Sequence, residues 1–153
     1  MLEKALILAA KAHTGQVDKG GAPYILHPIR VMLACEGEKE KIVALLHDTL
    51  EDTALTAADL RRAGFPEEIV QAVCCLTRGQ KEDYMDYIAR ICENALAARV
   101  KYADLQDNLD ISRIPNPTEK DFARIRKYEQ AMKRITRSIK GGREHGALDT
   151  GTV

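Results

Sequence analysis

Apolar residues recur at helical spacing along almost the whole chain, and no segment alternates apolar and polar positions as a half-buried strand does. The pattern predicts helices over residues 2–12, 28–35, 38–51, 56–64, 66–76, 83–92 and 96–109, with a last helix running from 118 toward 139. Local punctuation supports these limits. Pro28 and Pro66 suit first helical positions, Gly64 suits a helix end, and Glu36-Gly37 breaks the chain between two apolar runs. Thr56…Asp59 and Thr118…Asp121 have the spacing of capping boxes. A polar, glycine-containing loop over residues 17–23 carries Lys19, and Gly141-Gly142 predicts the end of ordered structure. The expectation is an all-α, single-domain helical bundle over residues 1–140, followed by a flexible tail over 141–153.

Set into these helices are four side chains suited to a metal ion. They are His27, the adjacent pair His47-Asp48, and Asp104. Two imidazoles and two carboxylates suit a borderline-hard divalent ion such as Mn²⁺ or Fe²⁺. His47-Asp48 follows the apolar run Ile42-Val43-Ala44-Leu45-Leu46, and Asp104 follows Ala97-Ala98-Arg99-Val100. Polar groups on largely buried helices must find partners, and a shared metal serves all four. Glu51-Asp52 comes one turn after His47-Asp48, so a continuous helix would place Glu51 beside His47 and Asp52 beside Asp48. Two free carboxylates next to a cation suit proton transfer to and from water, and the layout reads as a hydrolase.

These residues also carry a family resemblance. Ala12-His13-Thr14-Gly15-Gln16 with Pro23-Tyr24-Ile25-Leu26-His27-Pro28 resembles the opening of the hydrolase domain of the RelA/SpoT family. Leu45-Leu46-His47-Asp48-Thr49-Leu50-Glu51-Asp52-Thr53 resembles its central signature, and Lys101-Tyr102-Ala103-Asp104 with Asn108 resembles its third. The order and spacing agree over roughly residues 1 to 135. The stand-alone small alarmone hydrolases are the type most similar.

The resemblance implies an HD-type bundle and a manganese-dependent hydrolase of the 3′-pyrophosphate of ppGpp-like nucleotides. It makes His27, His47, Asp48 and Asp104 the metal ligands, and Glu51 and Asp52 the groups that activate water and assist the leaving group. It places Asn108 on the nucleotide and Lys19 on its phosphates. Lys101, Arg113 and Tyr24 join these as further substrate-binding candidates, by their places around Asp104, Asn108 and the Pro-Tyr-Ile stretch. Asp18 stands where the family commonly has a basic, purine-stacking residue. Asp107 and Asp110 stand where the long bifunctional members commonly have aromatic or basic ones. Added negative charge is expected to face an anionic substrate at these points, leaving ppApp as the alternative to ppGpp. The other readings are a phosphohydrolase of a different nucleotide and a catalytically silent nucleotide sensor, against which the intact Glu51-Asp52 pair argues.

Composition narrows the field. A chain of 153 residues with 45% hydrophobic and 30% charged content has enough apolar sequence for one core. Lys plus Arg and Asp plus Glu number 23 each, so no basic excess points to nucleic acid. No apolar run approaches a membrane span, and Met1-Leu2-Glu3-Lys4-Ala5 does not open a signal peptide. The expected setting is the cytoplasm, with a small nucleotide as partner and homo-oligomer formation left open. Cys35, Cys74, Cys75 and Cys92 lie in apolar helical sequence and are expected to be plain thiols. Among the remaining polar residues, His13 is expected to make a structural contact at a helix end. Lys120, Arg124 and Lys127 are expected to form a solvated face of the last helix.

Overall fold

The computed structural model describes residues 1–146, with side chains through residue 142. It is helical, as the apolar period predicts. The elements are α1 (Leu2–Ala12), α2 (Leu26–Ala34), α3 (Glu38–Leu46), α4 (Thr49–Asp52), α5 (Ala57–Arg62), α6 (Glu67–Leu76), α7 (Tyr84–Ile91), α8 (Ala95–Asn108) and α9 (Glu119–Gly146). A 3-10 turn, Ile111–Arg113, joins the last two. Among the described residues no strand forms, and Val17 and Pro23 share one isolated antiparallel bridge. No described helix is long and apolar enough to cross a membrane.

Helices α3 and α8 form the centre. Ile42, Val43, Ala44, Leu45 and Leu46 are all buried, because α3 is packed by α1, α2, α6 and α8 at once. Helix α8 touches α2, α3, α6, α7 and α9, and its small residues Ala97, Ala98 and Ala103 permit that close packing. Its position also buries Lys101 and Asp104 among apolar neighbours. A helix packed on most of its circumference has little polar face to spare, so its two buried charged side chains must satisfy each other or something between the helices.

Three details differ from the sequence-based limits. Helix α2 begins at Leu26, so His27 stands in its first turn, not in the preceding loop. The helix expected over 38–51 is interrupted at His47-Asp48. There the His47 ring takes the Ala44 carbonyl (2.6 Å) and Thr49 Oγ1 takes that of Leu46 (2.7 Å), removing two acceptors from the helical ladder. Asp48 becomes the residue preceding α4, so Glu51 and Asp52 occupy a separate short helix. At the other end, α9 runs straight through Gly141-Gly142 to Gly146. Two glycines cost about 1 kcal/mol each in a helix, too little to stop one already propagating over many turns. The expected flexible tail beyond residue 146 lies outside the described residues, as does the side chain of His145.

The capping boxes are more faithful. Thr56 and Asp59 bond reciprocally at the start of α5, and Asp121 accepts from the Thr118 amide (2.7 Å) at the start of α9. Gly64 takes φ +85° after α5, a conformation that favours glycine. At Gly20 the constraint is contact: a Cβ there would lie 2.5 Å from the carbonyl oxygen of Arg113, so the loop rests directly on the segment joining α8 to α9. The four cysteines are free thiols, and burial followed by Glu40 pushes that of Cys35 up to about 11.

Candidate metal centre

His27, His47 and Asp104 are buried and place ligand atoms together as a group able to hold a divalent ion. Asp48 completes the cluster. The Nε2 of His27 lies 3.1 Å from Asp104 Oδ1 and 3.6 Å from Asp48 Oδ2. The Nε2 of His47 lies 3.1 Å from Asp48 Oδ2 and 3.5 Å from Asp104 Oδ1. Ligands bonded at about 2.0–2.2 Å to one ion stand about 3 to 3.5 Å apart, which is this spacing. His47 Nε2 is buried without a hydrogen bond of good geometry despite two nearby carboxylate oxygens. Its lone position is explained if the four atoms aim at a common point between them. The residues present therefore fit a divalent cation.

Each donor is held from behind. The rear nitrogen of His47 bonds the Ala44 carbonyl, and that of His27 bonds Asp107 Oδ2 at 2.7 Å. The Tyr24 hydroxyl donates to Asp48. Lys101 Nζ donates to Asp104 Oδ2 and Asn108 Nδ2 to Asp104 Oδ1, each at 2.8 Å. Such outer contacts fix ligand orientation.

The charges balance in a way that suits cation exchange. Burial alone would raise Asp104, yet Lys101 and the two imidazoles hold it well below the usual carboxylate range. Burial would lower His47, yet Asp48 and Asp104 raise it well above an ordinary histidine. His27 is likewise raised against its burial by Asp104 and Asp107. Protons and a cation then compete for the same two Nε2 atoms. The sign follows: a raised imidazole holds its proton to higher pH, so metal affinity should climb as the pH rises through and above the ordinary histidine range. Metal uptake near neutral pH should also release protons, seen as a buffer-dependent heat in titration calorimetry. An affinity flat across that range would contradict the assignment.

Above the cluster opens a cavity of about 510 Å³. Lys19, Tyr24, His27, Asp48, Glu51, Asp52, Lys101, Asp104, Asn108 and Arg113 all line it, and His47 stands behind the lining. Burial, followed by neighbouring carboxylates, raises Glu51 and Asp52 above ordinary acids. A backbone hydrogen bond at Arg78 partly opposes this for Glu51.

The far wall was not expected. Arg124 and Lys127 line the cavity with Arg78, Tyr84 and Tyr128, so two of the three basic residues expected on a solvated face border the site, while Lys120 is exposed and outside the lining, as expected. Lys127 Nζ lies 4.5 Å above the Tyr84 ring. Lys19 reaches across to Asp121 (3.9 Å), which Arg124 also holds. The basic residues recur at helical spacing in the sequence, but nothing local says which way that helix faces.

The acidic substitutions border the cavity as expected: Asp18, Asp107 and Asp110 all line it. Asp18 Oδ1 accepts from the amides of Gly20 and Ala22, both at 2.9 Å, so its charge is spent on its own loop. Asp107 is enclosed by His27, Arg30 and Arg113, and Asp110 pairs with Arg113 and Ser112. Each of these carboxylates thus meets the cavity with hydrogen-bond or ion-pair partners of its own. Arg113 spans Asp107 and Asp110, and Lys101 is engaged with Asp104, not Asp107. His13 is buried at the end of α1, bonded to Gln16 (2.8 Å) and tilted against the Tyr24 ring, in the structural place expected for it.

No family model matches the sequence. Its similarity to known proteins is nonetheless consistent. It is 32% identical to a guanosine-3′,5′-bis(diphosphate) 3′-pyrophosphohydrolase of Aquifex aeolicus over 71% of the chain. It is 31% identical to the bifunctional (p)ppGpp synthase/hydrolase SpoT of Escherichia coli and 30% to a GTP pyrophosphokinase of Myxococcus xanthus, again over 71%. The matched segment spans 17% of the length of each of these curated relatives. A solved structure described as a metazoan SpoT orthologue that hydrolyses ppGpp superposes with a TM-score of 0.72 at 25% identity, covering 92% of this chain and 85% of the other. The chain belongs to the RelA/SpoT HD-domain family. Within that family its His-Asp cluster sits at the meeting of α2, α8 and the α3–α4 junction, three segments brought together only by the bundle. The RelA/SpoT resemblance read from the motifs and the helical architecture thus point to the same fold.

Proposed function

We propose that the chain hydrolyses the 3′-pyrophosphate of a (p)ppGpp- or (p)ppApp-type nucleotide, releasing pyrophosphate and the nucleoside 5′-phosphate. The observation that carries this reading is a four-donor cluster with an acidic pair beside it at the floor of a cavity whose opposite wall carries Arg124 and Lys127. The names borne by the relatives support the substrate class.

In this reading His27, His47, Asp48 and Asp104 hold Mn²⁺. A divalent ion there supplies charge neutralisation for the pyrophosphate and lowers the pKa of nearby water. Lys19, Arg78, Arg124 and Lys127 surround the phosphates with positive charge at the mouth and far wall. Asn108 and Lys101 orient Asp104 and border the same space. Tyr24 does the same for Asp48. Glu51 and Asp52 take a proton from the water that attacks the phosphorus bound to the ribose 3′-oxygen, and return one to that oxygen as it leaves as the 3′-hydroxyl. Their raised proton affinity suits such an exchange between neighbouring carboxylates. The same reading makes free nucleotide the partner and the cytoplasm the setting.

The test is turnover of ppGpp and ppApp side by side, with Mn²⁺ and after chelation, resolving products by anion exchange. Metal-dependent release of pyrophosphate from either nucleotide is expected. A metal-loaded protein that cleaves neither would overturn the proposal.

A further inference from the structure

We infer that Asp107 is a positioning residue for His27, held in place by Arg30 and Arg113. The inference rests on the reading that His27 is a metal ligand, and adds how this chain presents that ligand. Three observations carry it. Asp107 Oδ2 lies 2.7 Å from His27 Nδ1. Arg30 clamps the same carboxylate in a fork, Nε to Oδ1 at 2.8 Å and a terminal nitrogen to Oδ2 at 3.1 Å. Arg113 adds a hydrogen bond to the Asp107 backbone carbonyl (2.8 Å) and an ion pair to its side chain (3.2 Å).

The chemistry follows from the two faces of an imidazole. A carboxylate at Nδ1 keeps the proton on that nitrogen and leaves the Nε2 lone pair toward the cluster. It also makes the ring a stronger donor than a neutral acceptor would. His47 shows the contrast, since its Nδ1 meets only the Ala44 carbonyl. The two histidines are thus held by partners of different charge. Arg30 and Arg113 serve two ends. Arg30 fixes the carboxylate plane by paired hydrogen bonds, Arg113 holds the backbone behind it, and the charge of both keeps Asp107 from repelling an anionic substrate. Arg30 lies three residues after His27 on α2, so ring and clamp share one helix face while Asp107 comes from the last turn of α8.

The decisive experiment is Mn²⁺ affinity by competition with a chelating dye, a readout independent of any nucleotide. Asp107→Ala should weaken binding by about 10- to 100-fold. Asp107→Asn, which keeps the volume and loses the charge, should fall between wild type and Asp107→Ala. Packing alone would leave Asp107→Asn equal to wild type, and that equality would overturn the inference. Circular dichroism of the metal-free proteins checks folding. Should Asp107→Ala fail to fold, Arg30→Gln replaces it. That variant leaves Asp107 on His27 but loosens its plane, and several-fold weaker binding is expected, whereas unchanged affinity would overturn the inference. Wild type that binds no divalent ion would remove the metal reading itself. Wild type that binds, matched within twofold by Asp107→Ala, would remove only the role of Asp107.

Discussion

His47→Ala is expected to lose stoichiometric metal and at least about 1,000-fold in turnover, the equivalent of about 4 kcal/mol of transition-state stabilisation. The size follows from position. His47 is almost fully buried, stands behind the cavity lining, and lies 3.1 and 3.5 Å from the two carboxylates of the cluster. Alanine removes one of four donors and leaves Asp48 and Asp104 facing each other with one cationic partner fewer. The metal-free variant should therefore also be less stable than metal-free wild type, by about 1–3 kcal/mol in urea unfolding, because Asp48 and Asp104 lose the imidazole whose charge offsets theirs. Elemental analysis decides the ligand assignment directly. One equivalent of metal retained in His47→Ala would refute it, whatever happens to activity.

The second large effect separates chemistry from binding. Asp52→Asn should lower turnover by about 100- to 10,000-fold while metal content and thermal stability stay at wild-type values. Asp52 lines the cavity but donates no atom to the four-donor cluster, and its side chain is exposed enough for an amide to be tolerated. The amide keeps shape and loses the ability to accept a proton. Binding of the intact nucleotide should be preserved or tightened, since a negative charge beside an anion disappears. Equal turnover in Asp52→Asn would remove Asp52 from the proton-transfer pair and leave Glu51 as its remaining member.

Much of this site was legible in the chain, for a physical reason. His47-Asp48 and Glu51-Asp52 interrupt apolar helical sequence, and Asp104 stands in another such run, so their polarity demanded a partner from sequence alone. The capping boxes at Thr56 and Thr118 were equally readable, because their chemistry is confined to four residues. What escaped depends on side chains meeting across the bundle. The helix break at His47 arises from competition for the Ala44 and Leu46 carbonyls, which a helical period does not register. Asp107 looked like surplus negative charge because its partners His27 and Arg30 lie nearly eighty positions away. Arg124 and Lys127 looked solvated because the direction of α9 is set by its packing on α7 and α8, not by its own composition.

The contact at Gly20 ties these parts together mechanically. Its backbone rests on the Arg113 carbonyl; Arg113 grips Asp107; Asp107 grips the ring of His27. The loop that presents Lys19 and the imidazole that faces the cluster are thereby successive links of one chain of contacts crossing three segments of the fold. The rim of the cavity is not a fringe that can shift while its floor stays fixed. A side chain introduced at position 20 would be felt twice, once at the entrance and once at the cation.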